Sequence, residues 1–245
     1  GDTYQVNLAQ SFSSKFTGDS THAYLALKKA AKVPFASFFE GENWSFASAT
    51  PELFLQLDDQ RIRTKPIKGT RPRLNNDQLD QQQIAELKNS IKDKAENLMI
   101  VDLLRNDLGK NATDVTVESL FEVESFSTVH HLVSTISAKI TNKNAIQILI
   151  DAFPGGSITG APKKRAMEII TELEEGPRSF YCGSTFYLSS NKKMNSNILI
   201  RGFLFAEGEV TCWAGGGIVA DSNWEDEYQE SLDKISKLMS ALSNQ

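Results

Sequence analysis

The sequence predicts an α+β fold. Strand-like runs outnumber helical ones, and they come in clusters instead of alternating one for one with helices. The chain is also long enough for one large domain: 245 residues, 40% of them hydrophobic, support a sizeable core. The whole of 1–245 is therefore read as a single catalytic-size domain, with no internal repeat and no low-complexity segment.

Tyr4 to Leu8 reads as a strand with neither turn nor cap before it, so an N-terminal portion is expected to be missing. A helical pattern from about Thr21 to Lys32 stops at Pro34. Short β-like runs follow at Phe35–Phe39, Trp44–Ser48, Leu53–Leu57 and Arg61–Lys65. A polar loop at Asn75-Asn76 leads into one long helical pattern, Gln78 to Leu108, with Gly109 as its C-cap. A helix at Ala145–Ala152 ends at Pro154-Gly155-Gly156, and another runs from Pro162 to about Glu175, before Gly176-Pro177. Strands are expected at Tyr181–Leu188, Asn197–Ala206 and Glu209–Ala214. Then the run Gly215-Gly216-Gly217 precedes a last helix from Glu225 to Leu242.

A formal charge of −5 argues against a nucleic-acid partner, which calls for a basic face. It leaves room for a small anion, because a few local cations can dominate a pocket. No apolar run approaches the roughly 18–20 residues that span a bilayer, so no membrane association is expected. Cys182 and Cys212 match no metal-ligand spacing, nor do His22, His130 and His131, and a reducing, cytoplasmic setting is the expectation.

The most informative stretch is Thr64 to Arg73. Lys68 stands there in a turn bracketed by Pro66 and Pro72, with Arg63, Lys65, Arg71 and Arg73 close by. Neighbouring positive charge would favour the neutral, nucleophilic amine; a solvated basic strand end is the plainer alternative. Glu52, after Pro51, reads as a surface turn carboxylate, or in a cleft as a general acid. Glu96 borders the apolar stripe of its helix. Glu227, Glu230 and Lys234 share one face of the last helix, opposite Tyr228, Leu232, Ile235, Met239 and Leu242. That polar face is either a solvated one with a Glu230–Lys234 pair, or a metal-binding face looking into a cleft. Gly155 to Pro162 is a glycine-rich loop before a helix N-terminus, an anion site in principle or an ordinary linker. Arg201 shares a predicted strand face with Leu199, Phe203 and Phe205, where a guanidinium needs an anionic partner.

Taken together, Asp2–Leu8, the Lys68 turn, Ala95–Asp107, Phe153–Ile170 and Gly216–Lys234 resemble, in order and across the whole chain, the chorismate-utilising enzymes. The resemblance implies a large α+β sandwich of two antiparallel sheets flanked by helices, completed by an N-terminal region. It implies Mg²⁺ held by Glu96 and Glu230 with Asp93 and Glu227 close by. Chorismate carboxylates would be gripped by Ser157, Tyr181, Arg201, Gly217 and Lys234, with Thr159 and Gly216 in the same binding segments. His131 would lie beside the ring, and Glu52 would act as general acid or base near C4.

Two positions separate the branches. Isochorismate and salicylate synthases carry Lys where this chain has Gln5, and an amide cannot activate water as a base. Anthranilate synthases carry alanine at Lys68, whereas a lysine there resembles the aminodeoxychorismate synthases, so the expected chemistry is amination of chorismate at C4 through a lysine adduct. Ammonia and a glutaminase partner subunit are implied, because neither cysteine sits in a nucleophile-elbow setting. The rival expectations are an anthranilate synthase component I and a chorismate-binding relative without turnover.

Overall fold

The computed structural model describes residues 1–140 and 144–243. In chain order its elements are β1 (Gln5–Lys15), α1 (Ser20–Ala31), β2 (Phe35–Glu40), β3 (Trp44–Thr50), β4 (Leu53–Asp58), β5 (Arg61–Lys65) and β6 (Ile67–Pro72). There follow α2 (Asp77–Asn89), α3 (Ile91–Gly109), β7 (Ala112–Ser125), β8 (Val129–Ile140) and α4 (Ala145–Ala152). After a 3-10 turn at Gly156–Ile158 come β9 (Gly160–Ala161), α5 (Lys163–Leu173), β10 (Ser184–Leu188), β11 (Met194–Ile198), β12 (Gly202–Ala206), β13 (Glu209–Ile218) and α6 (Trp224–Ser243). The strands form two sheets, as the α+β reading requires. The chain divides into two compact units.

The first unit comprises Gly1–Pro51, Pro154–Thr185 and Asn197–Gln245. Its sheet runs β2-β3-β12-β13-β1-β9, every pairing antiparallel. On this sheet α1 and α6 lay Ala23, Leu27, Ile235 and Leu238 against Ala47, Phe203, Phe205, Cys212 and Ala214. A separate patch joins Ala166 and Ile170 of α5 to Val6. Burying a side chain such as Leu27 contributes about 2 kcal/mol, so these helices are held by packing more than by helix propensity.

The second unit comprises Glu52–Phe153 and Phe186–Ser196. Its organising strand is β8. β5 and β6 lie end to end along one edge of it, while β7 follows the other edge. α3 packs on β6, β7 and β8. It is anchored by Asn97, fully buried, whose amide donates to Leu132 O (3.4 Å) and whose carbonyl accepts from Ser134 Oγ (2.5 Å).

Several expectations are corrected. The single helix expected over Gln78–Leu108 is two, because Ser90 is extended (φ −64°, ψ 112°) and its hydroxyl accepts from Asp93 N, starting a new helix. β1 continues to Lys15, and β13 runs through the glycines to Ile218, because the two strands pair from Val6↔Ile218 to Lys15↔Glu209. β7 and β8 fall where no element was expected. β7 does alternate, with residues 115, 117, 119, 121 and 123 half-buried, but Asp114 and Phe121 at positive φ and repeated register shifts interrupt the pattern. On α6 the buried residues are Ser231, Ile235 and Leu238, and Tyr228 is exposed; the core stripe is rotated from the expected one, with Met239 and Leu242 still packed on the core.

Candidate active site

In the second unit Lys68 and Gly69 occupy a bulge of β6, where the register with β8 shifts between Ile67 and Thr70. The bulge needs glycine: Gly69 has φ +85°, and a Cβ there would stand 2.8 Å from Asp93 Cγ. Lys68 is half-buried on this stiff backbone. Thr70 lies opposite His131, and its Oγ1 is 2.9 Å from His131 Nδ1. His131 is itself buried, its ring 5.4 Å from that of Phe126. The turn does not present bare positive charge to Lys68. Arg63 pairs with Glu118 (3.1 Å), Arg71 with Asp93 (3.2 Å), Arg73 with Asp80 (3.0 Å), and Lys65 with Glu124. The cationic field that composition suggested is therefore cancelled pairwise.

Glu52, expected at the surface, is 7% exposed just before β4. Glu96 is half-buried, beside the locked Asn97 that fixes its rotation about α3. Asp93 is engaged by Arg71 and stands over Gly69, so its contacts in the second unit are with the Lys68 bulge. Next to His131, the ring of His130 is fully buried between Ser125 Oγ (2.8 Å) and Asp80 Oδ1 (2.9 Å). Asp80 also accepts from Leu74 N (2.8 Å) and from Arg73. The Leu74 amide, His130 and Arg73 hold its carboxyl down to about 2.

In the first unit the loop from Gly155 to Pro162 is folded tightly. Ser157 lies in its 3-10 turn, and both Ser157 and Thr159 are buried. The Thr159 hydroxyl donates to Gly155 O (2.9 Å), so its proton serves the loop itself. Gly160 has φ +137°, and a Cβ there would lie 2.2 Å from Gln5 O, a close approach that only glycine permits. Tyr181 precedes β10 instead of opening it; burial pushes its phenol well above the usual tyrosine value and keeps it a neutral donor. Arg201 is not on a strand face. It sits between β11 and β12 with φ +55°, half-buried, while Leu199, Phe203 and Phe205 go to the core.

Gly216 and Gly217 are strand residues of β13, opposite Leu8 and Asn7. A Cβ on Gly216 would stand 3.3 Å from Glu227 Oε2, 3.5 Å from Lys234 Nζ and 3.9 Å from Glu230 Oε1. The polar face of α6 thus brings Glu227, Glu230 and Lys234 together over one glycine. Lys234 pairs with Glu230 (2.6 Å) and donates to Gly215 O (3.0 Å), and Glu227 accepts from Ser222 Oγ (2.7 Å). Of the two readings of that face, the Glu230–Lys234 ion pair is present. Two carboxylates there suit Mg²⁺, a hard ion that takes one or two carboxylates and keeps several waters. Among the described residues no three or more His, Cys, Asp or Glu side chains are gathered around a metal-sized space.

Two features escaped the sequence reading. Gln5 is fully buried, and neither its amide nitrogen nor its oxygen has a hydrogen-bond partner; a Cβ on Gly217 would stand 2.3 Å from its Nε2. A buried amide with both ends open is costly unless something completes it. The other is Arg178, which donates to Ile158 O, Asn7 O and Glu174. Two of its acceptors, Ile158 O and Asn7 O, are backbone carbonyls distant in sequence, which leave no local signal; only Glu174 and Cys182 stand within four residues of it.

No helix among the described residues is long and apolar enough to cross a membrane. Over 247 aligned residues the chain is 52% identical to the aminodeoxychorismate synthase component 1 of Salmonella typhimurium, covering all of this chain and 54% of that protein. It is 51% identical to the protein of the same name from Escherichia coli, over 99% of this chain and 54% of that protein. Its backbone matches the crystal structure of anthranilate synthase component I from Streptococcus pneumoniae with a TM-score of 0.87 and 32% identity, over 97% of this chain and 53% of that one. The chain thus spans about half the length of the relatives it matches. With the family model for chorismate binding enzymes matching residues 1–240, and with a buried glutamate, a rigid lysine bulge and a glycine-lined carboxylate cluster in its two units, this chain belongs to the chorismate binding enzyme family.

Proposed function

We propose that this chain is the catalytic part of an Mg²⁺-dependent aminodeoxychorismate synthase, which replaces the C4 hydroxyl of chorismate by an amino group on the route to p-aminobenzoate and folate. The observation that carries the proposal is the half-buried Lys68 in its bulge beside His131, in a chain 52% identical to a protein named for that activity.

In this proposal the Lys68 amine, once neutral, attacks C2 of chorismate. The C2–N bond forms as the ring double bonds shift and the C4–O bond breaks; the hydroxyl leaves as water with a proton from Glu52. Ammonia then attacks C4, and the Lys68 nitrogen is expelled from C2 and recovers its proton balance. The net change is chorismate plus ammonia to 4-amino-4-deoxychorismate plus water. Ser157, Tyr181, Arg201, Gly217 and Lys234 are proposed to bind the two carboxylates, with Thr159 and Gly216 shaping the backbone around them. His131, held by Thr70, is proposed to lie along the ring. Glu96 and Glu230 are the proposed Mg²⁺ ligands, with Asp93 and Glu227 as further candidates; the ion, once bound, would supply positive charge to a substrate carboxylate. Ammonia is proposed to come from a glutaminase subunit.

Incubation with chorismate, Mg²⁺ and concentrated ammonium at mildly alkaline pH, with the product identified by mass, tests the proposal. Aminodeoxychorismate is expected from the wild type, with at least a ~100-fold loss in Lys68→Ala. Anthranilate as the product sinks the proposal in favour of the anthranilate synthase reading. Chorismate bound without turnover sinks it in favour of a non-catalytic role.

A further inference from the structure

The proposed carboxylate-binding residues of the first unit come from stretches far apart in the chain: the Gly155–Ala161 loop, the turn carrying Tyr181, and Gly217 on β13. Something must hold these stretches in register with one another. Arg178 touches the first two and reaches the third only through Asn7 of β1. Its NH1 donates to Ile158 O (2.9 Å), between Ser157 and Thr159. Its NH2 donates to Asn7 O (2.6 Å); Asn7 pairs with Gly217, and its own N–H donates to Thr159 O (2.8 Å). Its guanidinium carbon stands 5.9 Å from the centre of the Tyr181 ring, and NH1 also reaches Cys182 Sγ (3.5 Å).

The guanidinium is itself held by Glu174 at the C-terminus of α5, through Nε to Oε2 (2.8 Å) and NH2 to Oε1 (2.6 Å). Glu174 Oε1 also accepts from Ala9 N on β1 (2.9 Å). Both side chains are nearly buried, 15% and 10% exposed. A buried ion pair contributes little net stability compared with apolar packing of the same volume. What it offers here is direction: a planar fork aimed at backbone carbonyls of two separate segments.

We propose that Arg178, oriented by Glu174, is a positioning residue that sets the Ser157–Thr159 loop, Tyr181 and Gly217 at the spacing of the substrate's carboxylates. It does not touch the substrate. The inference rests on the carboxylate-binding role proposed above for those residues.

The test uses Arg178→Lys and Glu174→Gln in the full chain, with Ser157→Ala beside them. Lysine keeps the charge but cannot reach Glu174, Ile158 O and Asn7 O together. The expected result is a chorismate KM raised about tenfold or more in both positioning variants, with kcat and the KM for ammonium within about threefold of wild type. Backbone amides of residues 156–160 should exchange with solvent faster while those of β12 do not. Arg178→Met, filling the volume without the fork, should give the larger KM defect. If the chorismate KM and the loop exchange stay at wild-type values in folded Arg178→Lys and Glu174→Gln, the inference is wrong. It is equally overturned if all kinetic constants fall together in step with a lowered Tm, which marks Arg178 as a purely structural residue. The Ser157→Ala arm separates the two layers. An unchanged chorismate KM there removes the carboxylate site itself; a raised one beside wild-type behaviour of the positioning variants removes only this inference.

Discussion

Gly217 allows a residue-level test, because its Cα is the neighbour of the buried Gln5 side chain and a Cβ would lie 2.3 Å from Gln5 Nε2. Gly217→Ala should cost about 1–3 kcal/mol in a denaturant titration, since the buried Gln5 amide must shift to make room for the Cβ. Gly160→Ala adds backbone strain at φ +137° to a contact with immobile backbone and should cost more, about 3 kcal/mol or beyond. A Gly217→Ala protein as stable as wild type would mean that Gln5 moves aside freely. The glycines were legible in the sequence as a run, but their reason was not. They read as a loop before a helix, whereas they are strand residues kept bare for the Gln5 amide and the carboxylates of α6. The stiff backbone around Lys68 was legible from Pro66, Gly69 and Pro72, whereas the cationic field that its neighbours suggested is cancelled. Glu52 was not legible, because whether a carboxylate after a proline is exposed depends on what the rest of the chain lays over it. Likewise the partners that neutralise Arg63, Lys65 and Arg71 lie tens of residues away.

Among the elements, the break between α2 and α3 has the clearest chemical cause. Ser90 closes one helix and caps the next, its hydroxyl accepting from Asp93 N (3.2 Å). Ser90→Ala should lower stability by about 1 kcal/mol, read as a shift of the denaturant midpoint at constant m-value. Because α3 carries Glu96, the same variant should weaken Mg²⁺ binding if the proposed ligand set is right. Periodicity alone could not reveal the break, since helical spacing continues through Ser90. Asp80 provides a second test at this scale, tying α2 to β6 through Leu74 N and Arg73 and to β8 through His130. Its carboxyl is held at about 2, against about 3.9 in an unfolded chain, so its contribution is present above that unfolded value and is lost as the pH falls towards 2. The Tm gap between wild type and Asp80→Asn should therefore be constant above about pH 5 and close between about pH 4 and 2. A gap independent of pH throughout would show that the carboxylate charge does no stabilising work.

On the scale of the whole molecule, the two free thiols report on one unit. Cys182 and Cys212 are buried in the first unit, and burial pushes both up to about 12. Labelling by a thiol reagent at neutral pH should thus be slower than for an exposed thiol by several orders of magnitude and should follow unfolding of that unit. Fast labelling of either cysteine in native protein would mean that its segment opens on its own. Fold class was the most legible property at this scale, because clustered strands and helices separated by turns survive errors in any one boundary. The division into two units was not, since each is woven from discontinuous stretches.

That weaving has a consequence for the birth of the protein. Val6 finds its partner in Ile218, and Lys15 finds its own in Glu209. A ribosome adding about 5–20 residues per second needs roughly 10–40 seconds to travel from one to the other. The β1–β13 pairing of the first unit can therefore close only late in synthesis, while β4 to β8 of the second unit, which follow one another directly along the chain, can pair before the ribosome has finished.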